Sequence, residues 1–174
     1  MTDAERRSLT DWFDAYVGRF RDASGQWPRM IAVKVEHSRR VASEMERLAA
    51  RTGSFDPAGV RAAWALGLAH DVGRFPQFAH HGTFRDEQST DHGEVGRRVI
   101  EEAGVFDGFP EPRRVALLAG VRHHNARRIP DGLDGEALAF VRLIRDADKL
   151  DIFRVLYRGW VSGEIRRHPE YIFG

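Results

Sequence analysis

Cysteine is absent from this chain, which removes disulfides, thiolate metal centres and a cysteine nucleophile at once. Long apolar runs are missing too. No stretch reaches the ~20 residues needed to span a bilayer, and the first residues, Met-Thr-Asp-Ala-Glu-Arg-Arg, lack the apolar core of a signal peptide. The expectation is a cytoplasmic protein with no membrane partner. Charge of one sign is also scarce: the net formal charge is +1, so no overall field draws the chain to nucleic acid, and no nucleic-acid partner is expected. Strand-like alternation is rare, and there is no internal repeat, low-complexity segment or linker. What remains is globular in composition, 42% hydrophobic and 30% charged over 174 residues, enough for one domain with a real core.

Apolar residues recur at helical spacing nearly throughout. The first pattern covers residues 3–20, with Leu9, Trp12, Phe13, Tyr16, Val17 and Phe20, and is broken by Gly25 and Pro28. The second covers residues 29–50 and is closed by Gly53 and Pro57; the third covers residues 57–69, with Pro57 at its first position. Residues 71–90 are rich in Gly, Phe, Pro and His and read as a long functional loop. Asp91-His92-Gly93-Glu94 fits a capping box opening a helix to residue 103. Pro110 and Pro112 introduce a helix reaching His124, Pro130-Asp131-Gly132 marks a turn, and the last helix spans residues 136–159. The predicted architecture is an all-α single domain over residues 1–174. Its core is residues 31–153, with the first helix and a tail of residues 161–174 packed onto it.

Residues that chemistry can use fall on the inward faces of these helices. His37 shares a stripe with Val33, Val41 and Leu48; Asp71 continues the stripe of Val60, Trp64 and Leu68; His92 aligns with Val95 and Val99. Leu117, Val121 and His124 form another stripe, and Val141, Ile144, Asp148 and Val155 another. His70 adjoins Asp71. One inward histidine is ordinarily a hydrogen-bonded core residue. Four histidines and two aspartates aimed at one interior exceed what ordinary pairing satisfies, whereas divalent ions satisfy them all. The expected arrangement places His37, His70, Asp71 and Asp148 around one ion, with Asp71 bridging to a second held by His92 and His124. Helical face favours His124 over its neighbour His123. Nitrogen and oxygen donors without sulfur suit one or two ions of Fe, Mn, Ni, Co, Zn or Mg. His80 and His81, in the long loop, read as substrate-side or incidental.

These residues carry a resemblance. Over residues 31–153 the chain resembles the HD superfamily of metal-dependent phosphohydrolases: His37, His70-Asp71 and Asp148 match its His…His-Asp…Asp pattern, and His92 and His124 match the extra histidines of its binuclear branches. The resemblance implies an HD-type helical bundle with a metal site in its core. His70-Asp71-Val72-Gly73-Arg74 is similar to the His-Asp-x-Gly-Lys/Arg motif of the cyclic-di-nucleotide phosphodiesterases, which makes Arg74 a candidate phosphate contact; the alternative is that it pairs with an acidic neighbour such as Asp86 and only supports the loop. The Gly-Tyr-Pro signature of that branch is absent after His123-His124, where the chain reads Asn125-Ala126-Arg127-Arg128. Val121-Arg122-His123-His124 is similar instead to a run in small bacterial HD hydrolases of nucleotides.

The functional expectation is a metal-dependent phosphohydrolase, of phosphomonoesterase or phosphodiesterase type. It would cleave a phosphate ester or anhydride of a nucleotide or small phosphorylated metabolite through a metal-activated hydroxide. Asp71 and Arg74 are the candidate catalytic residues. Arg40 and Lys149, one turn or one residue from candidate ligands, are possible supports, and residues 75–90 a wall or lid. Two alternatives accompany it: a di-iron oxygenase of the same superfamily, which uses the same donors, and a silent nucleotide-binding sensor. The other arginines, many of them in pairs, read as solvated helix faces.

Overall fold

The computed structural model describes residues 2–163, and they are all-α. In order they form α1 (Asp3–Gly18), α2 (Arg29–Thr52), α3 (Pro57–Ala69), α4 (Arg74–His81), a 3-10 turn (Asp86–Gln88), α5 (His92–Glu102), α6 (Glu111–His123) and α7 (Gly135–Ser162). No strand occurs among the described residues. Of the expected packed tail, residues 164–174 lie outside the described part, and residues 161–162 continue α7.

Helix α3 is the hub, lying against α1, α2, α6 and α7. Its sequence explains why. Asp56 caps it by accepting from Gly59 N at 2.5 Å, Pro57 opens it, and Ala62 through Ala69 are buried on every side. Small residues let neighbours come close. A Cβ on Gly67 would meet Ala42 Cα of α2 at 2.7 Å, so the α2–α3 approach depends on glycine there. The pair His70-Asp71 that follows α3 is thereby delivered to the molecular centre, fully buried. The first helix clamps this arrangement from outside. Arg6 lies over the Trp64 ring at 4.2 Å and grips Glu46 of α2 with two hydrogen bonds of 2.8 and 3.1 Å. Tyr16 donates to the carbonyl of Val72 at 3.2 Å, and burial pushes its phenol up to about 12.

Three sequence expectations need correction. The first helix ends at Gly18, not residue 20, although Phe20 still packs on the core. Residues 71–90 are not a plain loop: they contain α4 and the 3-10 turn. Pro76, part of the composition that suggested a loop, sits in the first turn of α4, where a missing N–H costs nothing. Phe75 is wholly buried against Phe13, Tyr16 and Phe20 and fixes the helix to α1. Finally, Asp91 does cap α5, accepting from Gly93 N at 3.0 Å, but Glu94 does not reach back to complete a capping box. Its carboxylate pairs with Arg97 at 2.7 Å and Arg122 at 3.2 Å, a stronger attraction than a neutral N–H offers.

Candidate metal centre

Five segments each bring part of the centre. His37 comes from the middle of α2, His70 and Asp71 from the turn after α3, His92 from the first position of α5, His124 from the end of α6, and Asp148 from the middle of α7. The four histidines and Asp71 are buried; Asp148 is half-buried. All six expected residues meet at one place.

Asp71 divides the cluster. Its Oδ2 lies 3.7 Å from His37 Nε2 and 3.8 Å from His70 Nε2, while Oδ1 lies 3.4 Å from His92 Nε2 and 3.3 Å from His124 Nε2. Asp148 Oδ1 stands 3.0 Å from His37 Nε2 and 3.8 Å from His70 Nε2. His92 Nε2 and His124 Nε2 face each other at 2.9 Å. Donors held about 2.1 Å from a common ion stand about 3 Å apart, so these spacings are those of ligand shells.

The outer nitrogens settle the tautomers. His70 Nδ1 lies 2.7 Å from the carbonyl of Gly67, and His124 Nδ1 2.7 Å from that of Val121. His37 Nδ1 meets Asp151 Oδ2 at 2.8 Å, and His92 Nδ1 meets Asp86 at 2.8 Å. All four partners are acceptors, so in the neutral imidazoles every Nδ1 carries the proton and every Nε2 turns a lone pair inward. His37 Nε2 and His70 Nε2 have no hydrogen-bond partner despite complete burial; the nearby Asp148 oxygen lies off hydrogen-bond geometry. Bare lone pairs converging around carboxylates form a cation site, and the residues fit a pair of divalent ions.

The charges agree with that reading. Burial opposes ionisation of Asp71, but Lys34, then His70, His124 and Arg74, hold it well below the usual carboxylate range. Asp148 is likewise held far down, the contacts to His37 and His70 outweighing burial. Burial pushes the His92 imidazole down to about 4, which keeps it neutral and able to ligate.

Of the supports, sequence reasoning named Arg40 and missed Asp151 and the orienting role of Asp86. Asp151 orients His37 and is itself gripped by Arg40, whose Nε and Nη2 donate to its two oxygens at 2.7 and 2.8 Å. Both lie one turn beyond an expected ligand, on the same face, and that spacing was a usable signal; Lys149 is exposed. Asp86 orients His92 and collects Gln77 Nε2 at 2.8 Å, Asn125 Nδ2 at 3.0 Å and Arg74 Nη1 at 3.1 Å. Nothing local in the sequence marks it. Arg145 of α7 donates to the carbonyls of His123, His124 and Ala126 and so fixes the end of α6. Lys34 Nζ pairs with Asp71 Oδ2 at 3.0 Å.

Arg74 lies beside the cluster, with Nε 3.7 Å from Asp71 Oδ1. Its Nη1 is committed to the Phe84 carbonyl, Gln77 and Asp86. His123 is half-buried and outside the cluster, and His80 and His81 are exposed at the end of α4. No described helix is long and apolar enough to cross a membrane.

The HD-domain family model matches residues 35–152, a stretch that contains all six converging residues. Members of that family are mostly metal-dependent phosphohydrolases. No curated protein and no solved structure matches the chain. With more than half of its length matched and a buried His/Asp cluster at its centre, the chain belongs to the HD-domain family.

Proposed function

We propose that this protein is a binuclear metal-dependent phosphohydrolase acting on a phosphate ester or anhydride, in a nucleotide or small phosphorylated metabolite. One observation carries the reading. The two oxygens of a single buried carboxylate, Asp71, each face a separate pair of histidine Nε2 atoms whose protons lie on the opposite nitrogen. His37, His70, Asp71 and Asp148 would hold one ion, and Asp71, His92 and His124 the other. Two divalent ions supply a nucleophile from water near neutral pH and neutralise charge on phosphoryl oxygens.

The protein's own residues complete the chemistry. Lys34 has a flexible stem, is 16% exposed and reaches Asp71 across the mouth of the cluster. With Asp71 serving as a ligand, the Lys34 ammonium would be available to a phosphate oxygen. Arg74 contributes charge through Nε, while Nη1 holds the segment carrying Asp86. Phe84, buried, lies 5.5 Å from Lys34 Nζ and 5.8 Å from the Arg74 guanidinium and keeps both cations in an apolar setting. There a charge-assisted contact is stronger than in water.

The test is to load the protein separately with Mn2+, Fe2+, Co2+, Ni2+ and Zn2+. Each form is assayed against p-nitrophenyl phosphate, bis-p-nitrophenyl phosphate and linear and cyclic nucleotides. Metal-dependent phosphate-ester cleavage that a chelator abolishes is expected. Stoichiometric metal without cleavage of any of them contradicts the hydrolase reading, and consumption of oxygen by the iron form would assign the site to oxidation.

A further inference from the structure

The first half of α2 and the last turns of α7 enclose a cavity of about 400 Å3 that the metal centre does not use. Its floor is apolar, with Val33 from α2 and Leu156 from α7, and its rim carries Arg29, Arg40, Arg154 and Arg158. The acidic residue on the wall, Glu36, is already paired with Arg39 at 3.0 Å. Helix α2 begins at this rim. Its N-cap, Pro28, offers no side-chain acceptor and its first turn holds no acid, so the helix end adds partial positive charge to the guanidinium groups. The volume is that of a small-molecule pocket, about 300–1,000 Å3.

We propose that this groove binds an organic anion, with a phosphate or carboxylate head between Arg154 and Arg158 and an apolar body on Val33 and Leu156. Arg40 ties the groove to the centre. It lines the cavity and also grips Asp151, which orients His37. An anion that draws the Arg40 guanidinium outward loosens Asp151 and His37, so the ligand weakens metal binding, and metal weakens the ligand by the same factor. This coupling rests on the reading of His37 as a metal ligand; the binding site does not.

The probe is 8-anilinonaphthalene-1-sulfonate, an apolar anion with no phosphate to hydrolyse, titrated by fluorescence into the full chain. Arg154→Glu/Arg158→Glu tests the rim, with Arg154→Gln/Arg158→Gln as the milder pair and melting curves on both. Phe153→Ser/Tyr157→Ser tests the aromatic residues exposed elsewhere on α7. The expected result is saturable binding to one site, at least tenfold weaker in the arginine variants and unchanged in the aromatic variant. Undiminished binding in folded arginine variants, loss confined to the aromatic variant, or no saturable binding overturns the site; the last would follow if residues 164–174 or a second copy filled the groove. For the coupling, a chelator should strip Mn2+ several-fold faster from the wild-type protein at saturating probe, and no faster from the Arg154→Glu/Arg158→Glu protein. An unchanged rate in the wild type overturns the coupling alone. A protein that binds the probe but no Mn2+ counts against the metal centre and leaves the groove standing.

Discussion

The two sides of Asp71 are built differently. On the His37 side the supports are the long helices themselves: Asp151 is 4% exposed and held by two nitrogens of Arg40, and His70 is fixed by a carbonyl of its own helix. On the His92 side the support is Asp86, 31% exposed, in a 3-10 turn within the short segment linking α4 to α5. Its main partners, Gln77, Asn125 and Arg74, come from the short helix α4 and from the loop after α6. Packing of α2, α3 and α7 forms the first half whether or not an ion is present. The second half depends on local order that a few kcal/mol can undo. On the proposed binuclear reading, the His37 side is expected to bind its ion more tightly than the His92 side.

The largest break in this contrast is removal of the residue both sides share. Asp71→Ala should abolish turnover and lower metal content at both positions, because both halves lose the carboxylate they share, only Asp148 remains on the His37 side, and Lys34 loses its partner. Metal content by mass spectrometry and an activity assay check this; full metal content in the variant would refute the bridging role.

Next come the two supports. Asp86→Ala should weaken the second ion about 10–100-fold and leave the first in place, the usual cost of losing a carboxylate that orients a metal-bound histidine. Asp151→Ala should weaken the first ion by a similar factor, and should also lower the melting temperature, since Arg40 is left without its buried partner. Calorimetric titration with Mn2+ separates the two. If both variants lose the same ion, the halves are not independent.

Gly73→Ala should act on the second half through packing alone. A Cβ there would meet the carbonyl oxygen of His92 at 2.1 Å and Gly96 N at 2.6 Å, so α5 must retreat from the start of α4. A cost of about 1–3 kcal/mol is expected from overpacking, visible as a lower melting temperature together with weaker binding of the second ion. An unchanged melting curve would show that α5 moves freely.

The smallest effect is one of pH on the metal-free protein. His92 is held by burial at about 4, below its ordinary value near 6.5. The folded form thus stays neutral where the unfolded chain takes up a proton, and stability falls as pH drops from about 6.5 to 4. His37 runs the other way: Asp148 and Asp151 raise it despite burial, so it gains charge early without loss. Imidazole NMR titration should show His37 protonating well above His92. The reverse order would contradict the assigned partners.

Much of this was legible in the chain. Helical spacing alone turned His37, His92, His124 and Asp148 inward, because residues a turn apart must share a face, and the same reasoning separated His124 from His123. The supports of the His37 side were within reach of it, since Arg40 and Asp151 each stand three residues after a ligand. Asp86 was not. It meets His92 through a turn whose shape depends on Phe75 packing beneath α1 and on Gln77 buried behind it, contacts that no local pattern announces. The largest misreading of the fold lies where Pro76 sits in the first turn of a helix; the end of α1 and the capping box were smaller ones. Arg74 shows a narrower limit: its position beside Asp71 and its pairing with Asp86 could both be read as expectations, but its hold on the Phe84 carbonyl depends on where the 3-10 turn lies.

Manganese titration followed by electron paramagnetic resonance tests the central claim most directly. Two Mn2+ ions should bind per chain, the first more tightly by a factor of ten or more, and the spectrum should change from that of an isolated ion to that of an exchange-coupled pair as the second site fills. A single ion at saturation, or two ions without coupling, would contradict a centre bridged by Asp71.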